Sequence, residues 1–180
     1  MFKLYSKLTT AFAAFAIIFS TNTSAQVLSY NGFADAWSDE VGFTVADCDG
    51  NILLEVLPGD IAYGTTQVVY GDLVLPEGYT ITMTDTYGDG WMGNFLAIDT
   101  NGDAADPYGD GCLAYSQFTT WCGGYDTDTF QSMEMCGACG ANGGQMSAEG
   151  YGPTVVSSGC TDDEEPSEPV VCDDDTACNF

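Results

Sequence analysis

The chain has 180 residues and carries only two basic side chains, Lys3 and Lys7, against 27 Asp plus Glu and no His, so its formal net charge is −25. Nucleic acids and anionic membrane surfaces are bound through Lys and Arg, and this composition therefore excludes both as partners. The lack of His and the confinement of Lys to the start also exclude Ser-His-Asp, Cys-His and Schiff-base catalysis. We therefore expect no enzymatic activity.

The first 25 residues have the layout of a secretory signal peptide. Both Lys residues come first, an apolar run follows over residues 11–19, and the small residues Thr23, Ser24 and Ala25 close the segment. The apolar run is well short of the roughly 20 residues that span a bilayer. We expect residues 1–25 to be removed on export, which leaves 155 residues (180 − 25) with a net charge of −27 (−25 − 2). This predicts a secreted or cell-surface protein without membrane insertion.

The rest of the chain has the pattern of an all-β domain. Short runs rich in Val, Ile, Thr, Tyr and Phe, separated by Gly, Asp, Asn and Pro, are typical of strands and turns. The clearest run is 79–84, where Tyr79, Ile81 and Met83 alternate with Thr, as in a half-buried strand. We predict an antiparallel β-sandwich or jelly-roll-like domain over residues 26–159. The predicted strands are 41–45, 52–57, 67–70, 73–75, 79–84, 95–98 and a longer one over 113–121.

The C-terminal part differs in composition from this domain. Residues 137–152 are Gly-rich and predict a loop. Acidic residues and Pro dominate residues 160–171, which predicts an extended linker because like charges repel each other. Residues 172–180 form a short Cys-containing tail.

Eight cysteines lie beyond the predicted signal peptide, and an even number in an exported chain predicts a disulfide framework. Eight cysteines allow 105 pairings, so the connectivity stays open. The C-x-x-C of Cys136 and Cys139 could serve redox chemistry or zinc, but the chain has no His and no second C-x-x-C, which favours structural disulfides. The cysteines are Cys48, Cys112, Cys122, Cys136, Cys139, Cys160, Cys172 and Cys178.

Acidic, Gly-rich loops follow the clearest strand and predict a calcium site. Residues 85–94 read DTYGDGWMGN, and the D-x-Y-G-D-G pattern recurs over 106–111. Between them, residues 99–103 have the D-x-N-x-D spacing that opens an EF-hand loop, although no flanking helices are predicted. Calcium prefers six to eight such oxygen ligands, while the alternative is that these residues are ordinary turn formers. The candidate ligands are Asp85, Asp89, Asn94, Asp99, Asn101, Asp103, Asp106 and Asp110.

Residues 40–100 resemble the D-[ST]-[YFW]-G-D-G-W-N-G module, which recurs in large secreted proteins of marine bacteria and some single-celled eukaryotes. The resemblance rests on residues 85–94, on the strand LPEGYTITMT over 75–84, and on VADCDGN over 45–51. It departs at Met92, where Asn is typical. The resemblance implies a β-sandwich accessory module of surface or secreted proteins and no known activity.

A second resemblance lies at the C-terminus. Residues 159–162 (GCTD) and 175–180 (DTACNF) resemble two pieces of the G-C-T-D-x-x-A-C-N-[YF] repeat of similar secreted proteins. The acidic insert separates the two pieces, and the sequence ends within the second. We therefore expect residues 172–180 to be a partial Cys-rich repeat of a truncated chain.

Three functions remain compatible with the sequence. The first is a calcium-stabilised binding or structural module for adhesion or an extracellular matrix, with a glycan, surface or matrix component as partner and calcium-dependent self-association. The second is a carbohydrate-binding module, in which aromatic rings stack on sugars. The third, least favoured, is a glycosidase that uses only carboxylates. The candidate stacking residues are Tyr87, Trp91, Tyr108, Trp121 and Tyr125.

Overall fold

The computed structural model describes residues 26–160. The predicted signal peptide, the predicted linker beyond Cys160 and the Cys-containing tail, with Cys172 and Cys178, lie outside the described residues. No helix in the described part of the chain is long and apolar enough to cross a membrane. Residues 26–160 form an all-β fold, as predicted, with short helical insertions that the sequence pattern does not predict. The strands are β1 (Val27–Asn31), β2 (Val41–Asp47), β3 (Ile52–Val56), β4 (Gln67–Tyr70), β5 (Tyr79–Asp85), β6 (Phe95–Asp99) and β7 (Thr154–Ser158).

The strands form two antiparallel sheets. One sheet has three strands in the order β4-β1-β6, and the other has four in the order β3-β2-β5-β7. The longest pairing joins β2 and β5, with Val41 opposite Asp85 and Asp47 opposite Tyr79. This register places the residues before β2 next to the loop after β5.

The two sheets enclose one hydrophobic core and form a β-sandwich. Tyr79, Ile81 and Met83 of β5 are buried, which confirms the alternation predicted from the sequence. They belong to the same core cluster as Leu28 and Ile98 of the other sheet. Burial of each such side chain contributes about 1.5–3 kcal/mol, so this core supplies most of the stability of the sandwich.

A helical cap, defined as residues 112–141, packs beside β6. It contains helices α1 (Cys112–Gln117) and α2 (Ser132–Met135) and two single turns of 3-10 helix. The disulfides Cys112–Cys136 and Cys122–Cys139 cross-link it around buried Tyr115 and Phe130. Because the two cysteines of the C-x-x-C pair with different partners, both are structural, as predicted.

Glycine allows the cap to approach the sheet closely. A Cβ on Gly137 would lie 2.6 Å from the backbone nitrogen of Ile98 and 2.8 Å from its carbonyl oxygen, far inside van der Waals contact. Only glycine therefore fits at this contact between the cap and β6.

The predicted strand over 113–121 is wrong. These residues form α1 and a 3-10 turn, Thr119–Trp121. In α1 the buried residues are Cys112, Tyr115 and Ser116, which are spaced as on one face of a helix. The Cys112–Cys136 disulfide holds this face against the interior of the cap. Cross-linking and burial within the cap therefore decide the conformation here.

Other differences concern the edges of the sheets. Residues 73–75 form a loop rather than a strand, because a turn at Gly71 and Asp72 ends β4. Leu73 and Leu75 pack on the core without strand pairing.

The sequence interpretation missed β1 and β7. Cys160, predicted to begin the linker, is bonded to Cys48 in the turn between β2 and β3 and so is covalently joined to the sandwich.

Loss of the Cys48–Cys160 disulfide should destabilise the protein most among the three bonds of the described residues. The cysteines are 112 residues apart, against 17 for Cys122–Cys139. In the chain-entropy model, loops of these lengths correspond to about 4.7 and about 3 kcal/mol. We expect Cys48→Ser/Cys160→Ser to lower the free energy of unfolding by about 2–5 kcal/mol in urea titrations. A smaller loss than for Cys122→Ser/Cys139→Ser would contradict this order.

Candidate cation-binding site

The loop after β5 is fixed by hydrogen bonds within its own segment. The backbone N–H of Gly90 donates to Asp85 Oδ2 at 2.9 Å, and Trp91 Nε1 donates to the carbonyl of Thr84 at 2.8 Å. Gly88 and Gly90 have φ of +78° and +88°, a region that residues with a side chain rarely adopt. The D-x-Y-G-D-G sequence thus folds into a tight turn that brings Asp89 back toward Asp85.

Glu40 completes a group of three carboxylates that we call the acidic triad: Glu40, Asp85 and Asp89. The pairing of Val41 with Asp85 places Glu40 beside this loop. The backbone N–H and the hydroxyl of Thr86 donate to the Glu40 carbonyl at 3.2 and 3.1 Å. One carboxylate oxygen from each of the three residues lies within 4.8 Å of the others.

The electrostatics of the triad are unfavourable without a cation. Partial burial of Glu40 and the nearby carboxylates of Asp89 and Asp85 raise the pKa of Glu40. Asp85 Oδ1 is buried and has no hydrogen-bond partner among residues 26–160. The sequence of these residues contains no Lys, Arg or His, so no side chain can neutralise the triad.

The triad geometry suits a hard divalent cation. Calcium binds oxygen at 2.3–2.6 Å, so two oxygens on one ion lie at most about 5 Å apart. The oxygens of Glu40, Asp85 and Asp89 meet this limit. The site joins the start of β2 to the loop after β5, and a bound ion would cross-link these two segments.

Two predicted residues of the same loop, Trp91 and Asn94, lie in the interior. Trp91, predicted to stack on a ligand, is only 3% exposed and packs at 6.4 Å from Phe43 in the core, so its ring faces are not available. Asn94, predicted as a calcium ligand, is buried, and its Oδ1 is directed at Gly32, where a Cβ would lie 2.5 Å from it. Met92 has φ of +50°, a conformation in which Asn is enriched.

The second D-x-Y-G-D-G segment folds into a turn that satisfies its own carboxylate. Asp106 Oδ1 accepts hydrogen bonds from the backbone N–H of Tyr108 at 2.8 Å and of Asp110 at 3.0 Å. Its Oδ2 accepts one from the hydroxyl of Tyr115 at 3.1 Å. Desolvation opposes ionisation of Asp106, but these bonds together outweigh it and lower its pKa. Asp106 is thus a structural residue of the turn, with no neighbouring carboxylate cluster like that of Asp85.

Three of the remaining predicted ligands line a separate cleft, and the fourth, Asp110, does not. Asp99, Asn101 and Asp103 line a cavity of about 320 Å³ at the C-terminal end of β6. Asp99 is 2% exposed, and its Oδ1 accepts a hydrogen bond of 2.9 Å from the backbone N–H of Gly137. Its Oδ2 is buried without a partner among the described residues. Burial raises the pKa of Asp99 to about 6, although the Gly137 bond opposes this.

Four aromatic side chains form a surface group on and beside the cap. We call Tyr108, Phe118, Trp121 and Tyr125 the aromatic row. Phe118 and Trp121 are stacked with ring centroids 4.4 Å apart, Trp121 and Tyr125 are 6.2 Å apart, and Tyr125 and Tyr108 are 5.7 Å apart. Tyr108, Phe118 and Tyr125 are exposed, and Trp121 is half-buried. Tyr87 is exposed in the loop after β5, outside this row.

The sequence interpretation missed Glu40 and Phe118. Glu40 is far from Asp85 in the sequence, and only the pairing of β2 with β5 brings them together. Phe118 lies in the segment that was predicted as a strand and reaches Trp121 because a 3-10 turn follows it. No local sequence signal identifies either residue.

Comparison of this chain with protein-family models, curated proteins and solved structures found no match. The site therefore has to be interpreted from its own chemistry.

Asp99→Asn should stabilise the protein at pH 7 in the presence of a chelator. The pKa of Asp99 is about 6 in the folded state, whereas an ordinary Asp titrates near 3.8. The folded state therefore takes up a proton as the pH falls through 6, and the unfolding free energy of the wild type increases down to about pH 4. The variant lacks this increment, so its advantage should be at most about 3 kcal/mol at pH 7 and disappear near pH 4.

Urea titrations at several pH values in EDTA measure this difference. Asp49→Asn, at an exposed position in the turn between β2 and β3, also removes one negative charge and serves as the matched control. An equal change for both variants across the pH range would show that general charge repulsion, and not the burial of Asp99, is responsible.

Proposed function

We propose that this chain is an exported, calcium-stabilised β-sandwich module that serves adhesion or an extracellular matrix. The observation that carries the proposal is the convergence of Glu40, Asp85 and Asp89 within 4.8 Å. Three carboxylates this close repel one another strongly unless a cation lies between them. Calcium is the favoured ion, because the available ligands are hard oxygens and exported modules commonly use such sites.

Two further features support export. The first 25 residues have the layout of a signal peptide, and the described part of the chain contains three disulfides, which form and persist in oxidising compartments. The large negative charge favours partners that are neutral or that bind through calcium. Calcium bound between acidic surfaces would reduce their repulsion, which would allow copies of the chain to associate in a matrix.

Calcium should raise the thermal stability of the disulfide-bonded protein through the triad. At a calcium concentration 100 times the dissociation constant, one site adds about 2.7 kcal/mol, which corresponds to several degrees in the unfolding midpoint. The triad contributes part of this calcium-dependent rise in the unfolding midpoint. Most of that part should be absent in Glu40→Gln and in Asp85→Asn. Magnesium should give a smaller shift, because it requires near-ideal octahedral geometry.

Calorimetric unfolding scans in calcium, magnesium and EDTA at one ionic strength measure these shifts. Asp49→Asn controls for the loss of one negative charge without a change in the triad. If Glu40→Gln and Asp49→Asn responded identically to calcium, the triad would not bind it.

Carbohydrate binding through the aromatic row is the second candidate function. The row brings together Tyr108, Trp121 and Tyr125, three of the predicted stacking residues, and adds Phe118. Two disulfides hold this part of the chain, so the rings are pre-positioned and little conformational entropy is lost on binding. Exposed aromatic rings can stack on the C–H faces of a neutral sugar. Acidic side chains near them can accept hydrogen bonds from its hydroxyl groups.

Phe118→Ala and Tyr108→Ala should each weaken binding to a neutral polysaccharide by about tenfold, the effect of losing about 1–1.5 kcal/mol of stacking. Both side chains are more than half exposed, so the variants should fold normally. Affinity electrophoresis in gels that contain neutral glucan, mannan or xylan measures the effect. Tyr151→Ala, at an 87% exposed position outside the row, is the control. Retardation of the wild type that neither row variant reduces would exclude the row as the binding surface.

A further inference from the structure

The cleft at the end of β6 contains a buried carboxylate that is only half satisfied. We define the β6 cleft by Asp99, Asn101 and Asp103, which line it together with Gly109 and Gly111. One oxygen of Asp99 is bonded to the N–H of Gly137, and the other is buried without a partner among residues 26–160. A buried charged group costs several kcal/mol unless it is paired.

Two further polar side chains, Asn101 and Asp103, line the cleft with Asp99. Asn101 Nδ2 donates to the carbonyl of Ala104 at 2.8 Å and to that of Gly102 at 3.2 Å. These two bonds occupy the donor end of the Asn101 amide, so that its Oδ1 remains able to act as an acceptor. The exposed carboxylate of Asp103 lies on the same lining. The cleft is therefore lined by two aspartates and an asparagine, and the sequence of residues 26–160 offers no cationic side chain to pair with them.

Asp106 shows how the fold treats an acidic turn that needs no ion. Both of its oxygens are occupied, by the N–H groups of Tyr108 and Asp110 and by the hydroxyl of Tyr115. Within the described residues, no comparable donor reaches the second oxygen of Asp99. Of these two buried aspartates, only Asp99 therefore keeps an oxygen that a cation could bind.

The β6 cleft and the acidic triad are separate. β6 starts at Phe95, directly after the loop of residues 85–94, and ends at Asp99. A strand of five residues spans about 14 Å. The triad lies at the end of the sandwich where β6 begins, and the cleft lies where β6 ends. One ion cannot bind both groups.

We propose that the β6 cleft is a second, independent divalent-cation site, with Asp99, Asn101 and Asp103 as its protein ligands and calcium as the ion that fits its oxygens. Bound there, the ion would join the end of β6 to the following turn and, through Asp99 and Gly137, to the helical cap. The proposal does not depend on the triad, because it rests on different residues at the other end of the sandwich.

Isothermal titration of the EDTA-stripped, full exported chain with calcium tests the proposal. We expect Asp103→Asn and Asp99→Asn each to weaken one calcium-binding event at least tenfold, while Glu40→Gln leaves that event unchanged. Asp103 is exposed, so its variant should fold normally even if a change at Asp99 disturbs the core. Asp49→Asn should leave every binding event unchanged.

Thermal unfolding provides a second test, because the difference in midpoint between the wild type and Asp99→Asn should change between EDTA and calcium. In EDTA, Asp99→Asn should have a higher midpoint than the wild type, because the unpaired buried charge is gone. In calcium, the wild type should gain several degrees beyond any gain of the variant. Equal calcium shifts for the wild type, Asp99→Asn and Asp103→Asn, with unchanged calorimetric binding, would overturn the proposal whether or not the triad binds calcium.

Discussion

The absence of basic side chains after the first 25 residues is the constraint on which the rest of this structure depends. Each carboxylate must be solvated, accept hydrogen bonds from the protein, or bind a cation. Asp47 accepts bonds from the backbone N–H and the side-chain amide of Asn51, and Asp126 accepts them from the N–H and hydroxyl of Ser132. These local bonds stabilise turns without any ion pair. Asp39, Asp85 and Asp99 are exceptions, since each keeps one buried oxygen without a partner in the described chain.

The two D-x-Y-G-D-G segments show how one sequence pattern acquires two roles. In the second segment Asp106 is bonded to the hydroxyl of Tyr115, which belongs to helix α1, and its carboxylate is fully used within the protein. In the first segment the Asp85 side chain accepts one bond within residues 26–160, from Gly90, and Glu40 lies near it, in the turn just before β2. What surrounds each turn, rather than the turn itself, decides whether its carboxylate is structural or available to a cation.

The local pattern predicted much of the sandwich but little of the cap. Strand β5 was clear from its alternation, since period two and burial on one face have the same cause. The segment 113–121 has similar apolar content but becomes helical because disulfides and the burial of Tyr115 fix it within the cap. Trp91 was predicted at a ligand surface because acidic residues surround it in sequence. It is in the core because its indole N–H reaches the carbonyl of Thr84 and its ring packs near Phe43.

By itself, the sequence determined the charge, the disulfide-rich all-β class and the two acidic loops, because these depend on composition and on contacts within a few residues. Only the tertiary structure decided that Glu40 joins Asp85 and Asp89, that Phe118 stacks on Trp121, and which aspartates are left half satisfied. Those outcomes depend on strand register and on disulfide pairing. Both bring together residues that are distant in the sequence, and eight cysteines allow too many pairings for a local pattern to select one.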